Sequence, residues 1–111
     1  GASKSGNRDT RYKLVDEFTQ SYRAKYGELP SYWSGYGYDA LLVVLEAAAK
    51  ASGAGYPIEG KTLAAAMEGI RELAGVSGTF TFSEKAHAGL DSSAFEIFTI
   101  KNGFVVHIPP R

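Results

Sequence analysis

Along the first quarter of the chain, Leu14, Val15, Phe18, Tyr22 and Tyr26 recur at three- and four-residue spacing, with the Lys25 stem beside them. That period lines one face of a helix. Asp9 or Thr10 can cap it, Gly27 supplies a left-handed stop and Pro30 forbids continuation, so the spacing predicts a helix over residues 10–26. A short aromatic loop follows. From Tyr38 to Ser52 the run Tyr38-Asp39-Ala40-Leu41-Leu42-Val43-Val44-Leu45-Glu46-Ala47-Ala48-Ala49-Lys50 is apolar on nearly every face, which predicts a helix that belongs inside a protein. Asp39 and Lys50 suit the two ends of its dipole, and Gly53 and Gly55 end it.

A third helix is expected from Glu59 or Lys61 to Leu73, with Leu63, Ala66, Met67, Ile70 and Leu73 as a single stripe and Glu68 and Glu72 one turn apart on its solvated face, offset by Arg71 and Lys61. After Gly75 and Gly78 the period shortens to that of strands: Thr79 to Phe82, Ala94 to Ile100 and Phe104 to Ile108. Asn102-Gly103 between the last two predicts a tight hairpin, since a type I′ turn needs positive φ at both central positions. Residues 83–93 read as a long polar loop, and 1–9 as a flexible lead-in without the features of a signal peptide. None of the first 78 residues reads as a strand, so the chain lacks a central sheet to cover its second helix.

Composition narrows the function classes. The chain is 44% hydrophobic and 22% charged over 111 residues, as in a folded domain. Twelve basic and twelve acidic side chains cancel, which argues against nucleic acid as a partner. With no cysteine, disulfides, thiolate metal sites and thiol nucleophiles are excluded. No apolar stretch approaches the ~20 residues of a membrane span.

The ordered pieces Phe18-x3-Tyr22-x3-Tyr26-Gly27-x2-Pro30, Gly37-Tyr38-Asp39-Ala40, Gly75-x2-Gly78-Thr79-Phe80-Thr81-Phe82 and Asn102-Gly103-Phe104-Val105 resemble the C-terminal portion of type I periplasmic solute-binding proteins of the leucine/isoleucine/valine-binding family. The similarity covers roughly residues 10–108. It implies an α/β fold of two lobes joined by three crossovers, which close on a ligand by hinge motion. This segment would span parts of both lobes. Residues 10–82 would lie on the N-terminal-lobe side, 94–108 would form a hairpin on the C-terminal-lobe side, and the hinge crossing would fall between Phe82 and Phe95. The loop Ser83-Glu84-Lys85-Ala86-His87-Ala88-Gly89 departs from the Asp and Asn/Asp-Gly turn usual there. Most of the family's contacts to a ligand's amino and carboxylate groups come from upstream segments.

The resemblance implies a protein that captures a small solute, an amino acid or related carboxylate, outside the cytoplasm, in the periplasm or extracellular space. It implies delivery to an ABC transporter permease without a cofactor and without catalysis. A ligand-sensing receptor on the same scaffold is a second implication. The chain's partners would include the remainder of a longer protein or a second copy of itself, and a self-associating unit without ligand function is a third reading.

Four aromatics stand within Tyr32-Trp33-Ser34-Gly35-Tyr36-Gly37-Tyr38, interleaved with small residues that let a ligand approach closely. The resemblance puts Trp33 at a side-chain-pocket position, with Tyr32 and Tyr36 as near alternatives; packing between lobes would explain the same aromatics. Gly35-x-Gly37-x2-Ala40 lacks the preceding strand that a dinucleotide site requires. His87 and His107 have no companions at metal-ligand spacing, and Gly75-Val76-Ser77-Gly78-Thr79 misses the nucleophile-elbow pattern at its last residue.

Overall fold

Once a helix is nucleated, each further residue adds one hydrogen bond, and it runs on until something stops it. The computed structural model, which describes residues 2–109, shows this for the first element. Helix α1 spans Ala2–Tyr26, so it begins eight residues before the expected start and takes up most of the segment read as a flexible lead-in. No proline interrupts that stretch. Its C-terminal end lies where the glycine placed it, with the Gly27 N–H bonded to the Arg23 carbonyl at 2.8 Å and φ at +75°. Phe18, Tyr22 and Tyr26 stack along one face, and Phe18 meets Tyr38 at 4.9 Å between ring centres, which ties α1 to the next helix.

Helix α2 spans Tyr32–Gly53 and absorbs the aromatic segment expected as a loop. Ser31, directly after Pro30, starts it. The Ser31 side chain accepts from the Ser34 N–H and the Ser34 hydroxyl accepts from the Ser31 N–H, each at 3.4 Å. This reciprocal cap outweighs the poor helix propensity of Gly35 and Gly37. Replacing Ser31 with alanine should therefore cost about 1 kcal/mol, measured as a shift in the urea midpoint followed by helical circular dichroism.

Only one stripe of α2 is buried: Gly35, Asp39, Val43, Ala47 and Ala51, each four residues from the last. The expectation of a helix enclosed on all sides is not met within this chain, since Leu41, Val44 and Leu45 are exposed. Helix α3 spans Gly60–Glu68 and ends five residues early, because Gly69 caps it. The chain then turns, which drives Ile70 into the core and takes Leu73 out of the helical stripe. Glu68 consequently ends α3 while Glu72 sits in the turn before the first strand. Glu72 adopts φ of +50° and its N–H donates to Thr81 Oγ1 at 2.9 Å. The Arg71 guanidinium, expected to offset those carboxylates, donates to the carbonyls of Glu68, Ile70 and Phe82.

Strand β1, Leu73–Ala74, pairs antiparallel with β2, Thr79–Phe80, and is a strand where the pattern showed none. Val43, Ala47, Ile70 and Phe82 form the core, with Leu63, Ala66, Met67, Leu73 and Phe80 packed against it. A 3₁₀ turn at Ser92–Ala94 then leads to β3, Ile97–Lys101, which pairs with β4, Phe104–Ile108, in the register Ile97 to Ile108 and Lys101 to Phe104. Asn102 and Gly103, with φ of +51° and +80°, make the hairpin turn the dipeptide predicts. The two sheets are separate, each of two strands.

Candidate functional site

The first turns of α2 carry the aromatic cluster. A capped helix start fixes the backbone there, so the side chains fan out at 100° intervals from a rigid base. Tyr32 and Trp33 are 85% and 81% exposed, which leaves them with almost no packing inside this chain. Tyr36, one turn on, is half-exposed and meets Trp33 edge to face at 5.9 Å. The structure thus joins Trp33 to Tyr36, while Tyr32 points away into solvent.

Tyr36 also forms one wall of a cleft of about 470 Å³, whose other walls are Ser77, Leu90, Asp91, Ser92, Ala94 and Phe95. That volume is in the range of small-molecule clefts. The lining combines two aromatic rings with hydroxyls and the Asp91 carboxylate, so it offers aromatic contact and hydrogen bonding. Trp33 lies beside this cleft through its contact with Tyr36 and does not line it.

One residue that the sequence pattern treated only as a helix-dipole partner proves central. Asp39 is 2% exposed, and its two carboxylate oxygens accept the N–H groups of Val76 and Ser77, both at 2.8 Å. The carboxylate therefore clamps the β1–β2 turn onto α2, one helical turn from Tyr36, and holds Ser77 at the cleft wall. Gly75 makes the approach possible, since a Cβ there would lie 2.7 Å from Asp39 Oδ1. Gly35 on the same stripe lies under Val76. The signal was present: Asp39 shares the four-residue spacing of the small and apolar residues Gly35, Val43, Ala47 and Ala51. A charge on a buried stripe must have partners.

The histidines lie elsewhere. His87 Nε2 is 3.1 Å from Glu68 Oε1 and His107 Nε2 is 2.7 Å from Glu96 Oε2, both in exposed pairs of small energetic weight. The first borders a smaller cavity of about 260 Å³ formed with Ala64, Met67 and Phe82. Among the described residues no group of three or more His, Asp or Glu side chains could hold a metal ion.

Compared with known families, residues 4–103 match the one described as periplasmic binding protein. Among solved structures, the chain is similar to the extracellular ligand-binding receptor from Rhodopseudomonas palustris HaA2, at 26% identity and a TM-score of 0.67. The likeness covers 87% of this chain and 28% of that one. The chain thus spans little more than a quarter of the structure it matches, as a part of that fold. No curated protein matches it.

Proposed function

The chain belongs to the periplasmic binding protein family, and on that premise we propose that it is the C-terminal share of a protein that captures a small solute outside the cytoplasm. The solute would be an amino acid or related carboxylate, of the kind taken by leucine/isoleucine/valine-binding proteins, and it would be passed to an ABC transporter permease without chemical change. Trp33 is the residue that would meet it, with Tyr36 behind it and Tyr32 at the edge. The observation that carries this reading is the rigid, almost uncovered aromatic tip of α2 beside a cleft of ligand size. A side chain as large as tryptophan held in water costs contacts that a ligand or a facing lobe would restore.

Residues 10–82 would belong to the N-terminal-lobe side and 94–108 to the C-terminal-lobe side, with the crossing between Phe82 and Phe95. The cleft, where the 3₁₀ turn and Leu90 face Tyr36 and Ser77, would then lie at that crossing. Such a position would let closure of the lobes change its walls. No helix among the described residues is long and apolar enough to cross a membrane. A ligand-sensing receptor on the same scaffold is a second reading, supported by the similarity to an extracellular ligand-binding receptor.

Isothermal titration of a full-length protein carrying this sequence against amino acids and aromatic acids tests the reading. Binding of at least one is expected, and Trp33→Ala should weaken it about tenfold or more, as truncation of a buried aromatic anchor does. Unchanged affinity in that variant would sink the site assignment while leaving the family intact. Absence of binding by every compound would sink the transport reading.

A further inference from the structure

Two walls of the larger cleft meet at a glycine that does not itself line it. The β1–β2 turn closes with the Gly75 N–H bonded to the Gly78 carbonyl at 2.8 Å, and Asp39 holds the two residues between them, so this wall is fixed to α2. The hydrogen bonds within the facing 3₁₀ turn are internal, from the Ala94 N–H to the Asp91 carbonyl at 3.1 Å and from the Phe95 N–H to the Ser92 carbonyl at 3.2 Å. Gly78 is buried where the two turns touch, and a Cβ there would lie 2.8 Å from Leu90 Cδ2 and 3.1 Å from the Ala94 methyl. Both distances are inside the roughly 3.5–4.0 Å at which carbon atoms pack best. Of the two neighbours, leucine yields the more readily. The Ala94 methyl moves only with its backbone, whereas Cδ2 ends a side chain that turns between staggered positions. Leu90 is half-buried and lines the cleft, so the open space beside a displaced branch is the cleft itself.

We propose that Gly78 is a positioning residue for solute selection: lacking a side chain, it forms the recess that keeps the Leu90 branch out of the cleft, and it thereby sets the size of solute the cleft admits. The inference rests on the reading that this cleft holds the captured solute. Gly78, Leu90 and Ala94 all belong to this chain, so their contact stands whatever further walls the rest of a longer protein adds. The φ of Gly78 lies outside the left-handed region, so alanine there carries no left-handed strain, and its methyl acts on a solute only through Leu90 and Ala94.

Isothermal titration of a full-length protein carrying this sequence with alanine, valine, leucine and phenylalanine tests it. The parent is expected to bind at least two of the four. Gly78→Ala should weaken binding increasingly along the series, with a loss at least about tenfold greater for the largest amino acid bound than for the smallest, because room for one methylene is worth about that much. Leu90→Val removes the branch that would be displaced, so the double variant Gly78→Ala with Leu90→Val should regain the parent's size preference to within about threefold. Gly53→Ala, whose methyl meets nothing, should leave every affinity unchanged. An equal loss across the series, or a size preference that Leu90→Val does not restore, overturns the inference and leaves the solute-capture reading standing. If Gly78→Ala alone loses its helical circular dichroism, the double variant decides: folding with the parent's size preference supports the recess, and failure to fold overturns it. A parent that binds fewer than two of the four overturns the capture reading and the inference with it.

Discussion

Replacing Asp39 with alanine should cost about 3–5 kcal/mol of stability, a large part of what holds a domain of this size together. The reason lies in what the variant leaves behind. The N–H groups of Val76 and Ser77 point into a part of the molecule where Gly35, Asp39, Gly75 and Gly78 are all buried, so without the carboxylate they lose their acceptors where water cannot readily replace them. Each unsatisfied buried donor costs about 1–3 kcal/mol, and bonds to a charged acceptor stand at the upper end. Asp39→Asn keeps the shape and one acceptor oxygen, and its loss should be distinctly smaller. Urea denaturation monitored by circular dichroism measures both. If the alanine variant unfolds within about 1 kcal/mol of the parent, the clamp is not what holds the β1–β2 turn on α2.

The second large effect is expected at Gly89. Its φ is +80°, and a Cβ there would come within 2.6 Å of ring atoms of Phe82 and 3.1 Å of Phe80. Phe82 is a core residue stacked on Phe80 at 6.0 Å, and the Gly89 carbonyl accepts the Thr81 N–H at 2.9 Å, so yielding would disturb that stack or that bond. Gly89→Ala should therefore add left-handed strain of about 1–2 kcal/mol to overpacking of about 1–3 kcal/mol. Gly37→Ala is the control, since its added methyl meets nothing and the position is helical; it should be neutral or stabilising by up to about 1 kcal/mol. Thermal unfolding of the three proteins in parallel gives the comparison, and equal midpoints for the Gly89 variant and the parent would show that the loop adapts.

Most elements were legible because their signals are local. The four-residue spacing of Phe18, Tyr22 and Tyr26, the glycine stop at Gly27 and the Asn102-Gly103 turn all act between residues a few positions apart, and each reappears in the structure. The misplaced boundaries share a cause of the opposite kind. The α2 start moved back to Tyr32 because a serine pair capped a stretch whose glycines argued for a loop. The end of α3 moved back to Glu68 because Gly69 capped it and Ile70 turned into the core. Strand β1 escaped notice because two residues carry no period, and its partner lies across a turn held from outside by Asp39.

The candidate site divides in the same way. The aromatic richness of residues 32–38 and the resemblance pointed to Trp33, Tyr32 and Tyr36, but their exposure and the pairing of Trp33 with Tyr36 follow from the helical phase that the Ser31 cap sets. The cleft beyond Tyr36 draws its walls from residues 36, 77 and 90–95, a combination no local pattern contains.

By itself, then, the sequence determined the helices, the closing hairpin, the absence of thiol chemistry and the family, since these depend on side-chain period, turn stereochemistry and residue identity. Only the tertiary structure decided that α2 buries a single stripe, that Asp39 clamps the turn carrying Ser77, and that the aromatic tip stands free above a cleft. Those depend on contacts between residues nearly forty positions apart, where the free energy of burying a charge or a ring is set by what the fold brings beside it.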